Sequence, residues 1–75
     1  MSAAQVRQAR KELARLERQV GRLEQREADL LDRLATHATD YATVADLDAQ
    51  LKDVRAEREQ VEEAWLTLAD QLPTG

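Results

Sequence analysis

Apolar residues recur at alternating steps of three and four along nearly the whole chain, a spacing that few folds accommodate. The first ladder runs Val6, Ala9, Leu13, Leu16, Val20, Leu23, Glu27, Leu30, Leu34. The second runs Val44, Leu47, Leu51, Val54, Arg58, Val61, Trp65, Leu68, Leu72. Each ladder carries one charged member, Glu27 in the first and Arg58 in the second. A mean step of about 3.5 residues keeps one narrow stripe on one side of an α-helix, the seam of a coiled coil. Only a short polar stretch separates the ladders, so the two helices must fold back on each other. The expected fold is all-α: a two-helix antiparallel coiled-coil hairpin spanning residues 1–75 as a single domain. Helix one is placed at about 3–35, the connector at about 36–43 and helix two at about 44–72.

Local signals set these boundaries. Ser2 is suited to accept bonds from the free N–H groups of the first turn. The connector is rich in Thr, a poor helix former and a good cap. Two caps compete for the start of helix two. Thr39 or Asp40 would start it early, whereas Thr43 with Asp46 three residues on resembles a capping box. Pro73 disfavours helix at the residue before it. Gly21 falls outside the seam, either as a tolerated exposed glycine costing ~1 kcal/mol against Ala or as a hinge.

In an antiparallel hairpin the partner residues of each layer have a constant number sum. A sum of 81 satisfies every layer, from Leu34 with Leu47 at the connector to Ala9 with Leu72 at the far end. This register puts Leu16 against Trp65, Glu27 against Val54 and Leu23 against Arg58. Glu27 and Arg58 then lie in adjacent layers and either pair across the seam or turn outward separately. On the flanks Glu24 is expected to meet Arg55, and Arg26 to meet Glu57, while Glu17 beside Glu62 is a mild conflict. Tyr41, near the tip, is expected to fold back over the last core layer; the alternative is a free ring that stacks or docks. His37 reads as a solvated loop residue. Trp65 packs in the core with its indole N–H at the rim.

Chemistry is sparse. The chain has no Cys and one His, which excludes disulfides, thiolate sites and a histidine metal site. The apolar runs fall far short of the ~20 residues of a membrane span, and no signal peptide is visible, so a cytoplasmic location is expected. The end, Leu72-Pro73-Thr74-Gly75, lacks the apolar tail of a surface-anchoring signal and reads as a frayed terminus. No nucleophile, acid pair or phosphate loop is arranged for catalysis, and no catalytic residue or metal ligand is assigned.

Charge is more informative than its total of −4 suggests. Residues 1–38 hold eight basic side chains against six acidic, and residues 39–75 hold three against nine. Arg7, Lys11, Arg15, Arg18, Arg22 and Arg26 step by three or four along helix one, opposite the seam. At ~1.5 Å per residue they form a stripe about 30 Å long. Such a stripe either tracks a phosphate backbone or serves as a solubilising face. Glu12, Glu17 and Glu24 flank it.

Several segments together resemble the C-terminal coiled-coil domain of Uup-type ABC-F proteins, soluble tandem ATP-binding-cassette proteins. They are Ala9-Arg10-Lys11-Glu12-Leu13, Leu16-Glu17-Arg18 with Leu23-Glu24, Leu47-Asp48 with Leu51, and Glu62-Glu63-Ala64-Trp65-Leu66. The tip, His37-Ala38-Thr39-Asp40-Tyr41, is similar to actinobacterial members. The resemblance covers about residues 7–70. It implies an accessory piece of a larger ATPase, with ATP and Mg2+ held by two preceding ABC domains and no cofactor in this segment. It also implies partners in DNA, or in ribosomal RNA and the ribosome. The six cations would then be the nucleic-acid-binding residues. The competing expectation is a spacer or a protein-interaction coiled coil, including a weak homodimer in which Leu31 and Leu66 widen the apolar surface. No membrane contact is expected.

Overall fold

The structure, a computed structural model, describes residues 1–73. The expectation for the chain end therefore lies, at Thr74 and Gly75, outside the described residues. Two helices, α1 (Ala3–Thr36) and α2 (Tyr41–Gln71), pack lengthwise into a rod with principal extents of 56 × 16 × 14 Å. Bonds that cross the seam fix the direction. Trp65 Nε1 donates to Glu17 Oε1 at 3.1 Å, and Arg55 Nε donates to Glu27 Oε1 at 3.2 Å. Residue numbers fall on one helix as they rise on the other, so the helices are antiparallel, with levels close to the expected sum of 81.

Both ends of α1 are closed by side chains or turns. Ser2 Oγ accepts from the Gln5 N–H at 3.2 Å while the Ser2 N–H donates to Gln5 Oε1 at 2.8 Å, a reciprocal capping box. The His37 N–H closes the other end on the Arg33 carbonyl at 2.9 Å. The connector then reduces to a tight turn in which the Asp40 N–H donates to the His37 carbonyl at 2.9 Å.

The start of α2 differs from the expected residue 44. Asp40 wins the competition between caps: Oδ1 accepts from the Thr43 N–H at 3.2 Å and Oδ2 from the Thr43 hydroxyl at 2.7 Å. A carboxylate that takes two bonds from one residue outcompetes a hydroxyl that would take one. Thr43 is thereby a donor inside the first turn of α2, not a cap paired with Asp46. Helix begins at Tyr41. Tyr41 is 89% exposed and faces water, which corrects the expectation that it covers the last layer. As the first helical residue it stands beyond the end of the seam. At the other end Leu72 is extended (φ −77°, ψ 138°), as Pro73 requires of the residue before it.

The core is one row deep. Leu16, Leu23 and Leu30 of α1 interdigitate with Leu47, Leu51, Val54 and Val61 of α2, and Val20, Leu34, Trp65 and Leu68 pack against them. Ala9 is buried towards the far end. All the buried positions but Leu51 recur at steps of seven, Ala9 to Leu30 in α1 and Leu47, Val54 and Val61 in α2, which is one of the two rows of each ladder. The alternate row remains half-open because two helices have no third to cover it. The two charged members of the ladders lie in that half-open row. Glu27 and Arg58 do pair across the seam, and Arg55 joins them on Glu27. Arg58 Nε also lies 3.5 Å from Glu62 Oε1. The Glu27 side chain is 14% exposed and that of Arg58 28%, so this cluster is screened far less than a surface pair.

The flank pairing is thus partly corrected. Arg55 turns to Glu27 instead of Glu24, because Glu27 offers a carboxylate that is already drawn into the seam. Arg26 and Glu57 form no ion pair among the described residues. Glu17 and Glu62 avoid conflict by turning to different groups: Glu17 accepts from the Trp65 indole, and Glu62 lies beside Arg58 Nε as an ion pair without a hydrogen bond.

Candidate nucleic-acid interface

The one-row seam determines which residues are left outside. Arg7, Lys11, Arg15, Arg18 and Arg22 face away from the seam of α1, Arg26 flanks it, and all six are exposed. The helix is continuous through Gly21, so the stripe is straight. Asp29 and Asp32, both exposed and outward, close it beyond Arg26.

The six cations are not equivalent. Arg15 is held by Glu12 through two bonds, Nε to Oε2 at 2.9 Å and a terminal nitrogen to Oε1 at 2.5 Å. The Arg15 hydrogen bond and charge hold the Glu12 carboxyl below its ordinary pKa, and Glu12 raises that of Arg15. The Glu12–Arg15 pair sits along the stripe and is about half exposed. Arg7, Lys11, Arg18, Arg22 and Arg26 have no ion-pair partner among the described residues. Helical spacing marks the six positions and places Glu12 only as a residue flanking them. The spacing of three between Glu12 and Arg15 was the available signal for their pairing.

The arrangement offers fixed positive charge with planar guanidinium donors on a straight, accessible edge. It can neutralise a row of anions, and it has no means to read base edges. Tyr41, the exposed aromatic at the tip, stands apart from the stripe, which contains no aromatic residue. The seam leaves one apolar groove of about 300 Å3, lined by Glu17, Val20, Glu62, Trp65 and Leu66. Among the described residues no group of His, Cys, Asp and Glu is placed to hold a metal ion. No helix among them is long and apolar enough to cross a membrane.

The model of a family described as "ABC transporter C-terminal domain" matches residues 5–70. No curated protein and no solved structure matches the chain.

Proposed function

Because the chain belongs to the ABC transporter C-terminal domain family, we propose that it acts as the non-catalytic tail of a Uup-type ABC-F ATPase and contacts nucleic acid through α1. The family assignment makes it an accessory domain of an ATP-binding-cassette protein; the class and the ligand are our reading. In that reading ATP and Mg2+ are bound by preceding ABC domains. The residues here do not suit them, since the chain has two glycines in all and no metal-ligating group among the described residues. A cytoplasmic setting at DNA or the ribosome goes with this role, as does the resemblance of the tip to actinobacterial members.

The observation that carries the proposal is that five exposed cations stand without an intramolecular ion partner on one straight edge of α1. Cations kept for solubility alone are commonly interleaved with acids at helical spacing. Here the positions facing directly away from the seam carry no acid between Arg7 and Arg22, and Glu12 at their flank binds Arg15. Each phosphate contact contributes about 0.9 to the slope of log affinity against log salt on a duplex. Titration of the chain with duplex DNA and with structured RNA, at low and moderate salt, is the test. Binding with a slope of about −4 to −5 is expected. Replacing Arg15, Arg18 and Arg22 by Glu should abolish it. Absent binding at low salt, or binding indifferent to salt, overturns the reading and favours a spacer.

A further inference from the structure

The outer sides of the two helices carry opposite charge. Against the basic edge of α1, the outward positions of α2 hold Asp46, Asp53, Glu59, Glu63 and Asp70, all exposed, with Lys52 among them. The register makes this a position-by-position relation. Residues whose numbers sum to 81 or 82 lie at nearly one height along the rod, the Trp65–Glu17 and Arg55–Glu27 bonds each joining a pair that sums to 82. A second copy moved sideways, without sliding, brings the outer side of its α1 against the outer side of the first copy's α2 at unchanged height.

At a sum of 81, four levels then join two charged outward residues, while a fifth sets Arg26 level with Arg55, which is turned to Glu27 of its own hairpin. The four are Lys11 with Asp70, Arg18 with Glu63, Arg22 with Glu59, and Asp29 with Lys52. All eight side chains are exposed, and each of the four pairs is of opposite sign. The fourth pair reverses the polarity of the other three; within the hairpin its Lys52 is ion-paired to Asp48 and its Asp29 accepts from Gln25, so the intermolecular contact shares those groups. Leu66, which is 58% exposed, falls level with Arg15, whose aliphatic stem would cover it. Gly21, level with Gln60, has open space around it and lets the neighbouring helix approach.

We propose that the chain self-associates side by side, the basic edge of α1 in one copy lying on the acidic edge of α2 in the next. The contact is heterologous and extends as an open row. A face 56 Å by 14 Å is close to the ~800 Å2 per partner of a standard interface. Its pairs are solvated, each worth ~0–1 kcal/mol, so the association is weak and is lost as salt rises. Lys11, Arg18 and Arg22 also belong to the edge assigned to nucleic acid, so a polyanion and a second copy compete for it. The self-association itself does not rest on that assignment.

Sedimentation velocity over a concentration series, at low and high salt, tests this with a charge swap. The wild-type chain is expected to associate at low salt and to sediment as a monomer at high salt. Arg18→Glu with Arg22→Glu should weaken association about tenfold or more, as should Glu59→Arg with Glu63→Arg. An equimolar mixture of the two variants should restore it, because each supplies the edge the other lacks. These are surface positions, and circular dichroism checks that both variants remain helical. A Glu59→Gln, Glu63→Gln variant keeps every α1 cation and adds none, so its titration with duplex DNA reports on nucleic-acid binding separately. A wild-type chain that stays monomeric at low salt overturns the proposal. So does a dimer indifferent to either reversal, or a mixture that fails to recover association.

Discussion

At Gly21 nothing lies within 4 Å of where a Cβ would sit, and α1 runs through the position unbroken. The glycine therefore contributes no contact and costs backbone entropy on folding. Gly21→Ala is expected to stabilise the hairpin by about 0.5–1 kcal/mol, read as a higher Tm with unchanged helical content. A lower Tm would revive the hinge. Asp40 carries the opposite kind of effect. The Thr43 hydroxyl, and then the Thr43 backbone N–H, hold its carboxyl below the ordinary aspartate value. A folded pKa below the unfolded one means that the cap's contribution is complete above the unfolded value. It is lost as pH falls through the folded value. Amide exchange at Thr43 should accelerate, relative to the middle of α2, as acidification passes below the ordinary aspartate range, and Asp40→Asn should remove that pH dependence. Equal protection in acid and at neutral pH would dismiss the cap. Both residues were visible in the sequence as candidates. Which cap prevailed was not, because Thr39, Asp40 and Thr43 are all competent and only the turn geometry ranks them.

Within the seam, the charged layers set α1 against α2 more specifically than the Leu layers do. A leucine tolerates a neighbouring layer, whereas Glu27 removed from Arg58 and Arg55 would leave a carboxylate 14% exposed and unpaired. A thermodynamic cycle of Glu27→Leu, Arg58→Leu and the double variant, followed by urea unfolding, should give a coupling of about 1 kcal/mol or more. The double variant should recover much of the loss suffered by each single one. Zero coupling would show that the two side chains act independently. The pairing was readable as one of two arrangements, since a shared register places the residues in adjacent layers. The involvement of Arg55 was not readable. Arg55 can reach either Glu24 or Glu27, and the choice depends on which carboxylate has been drawn towards the seam.

At the scale of the whole rod, the hairpin converts an uneven distribution of charge along the chain into an uneven distribution around it. The basic first half and the acidic second half lie back to back, so one long edge of the rod is mainly basic and the other mainly acidic. The proposed contacts with a polyanion and with a second copy both follow from this arrangement. The same arrangement explains the half-open row at Val20 and Trp65, where a bundle of more helices would have placed another layer.

Periodicity by itself determined that there are two helices, which side of each is apolar, and at what level each layer meets its partner. It could do so because a coiled-coil seam is a local rule, repeated every seven residues, whose satisfaction needs only one matching helix. Six exposed cations on one edge of α1 were legible for the same reason. Only the tertiary structure decided that α2 begins at Tyr41, that the ring of Tyr41 faces water, that Glu12 holds Arg15, and that Glu27 gathers two arginines. Each of these is a choice among long side chains or caps of similar intrinsic preference, and differences of a few tenths of a kcal/mol in local geometry settle them.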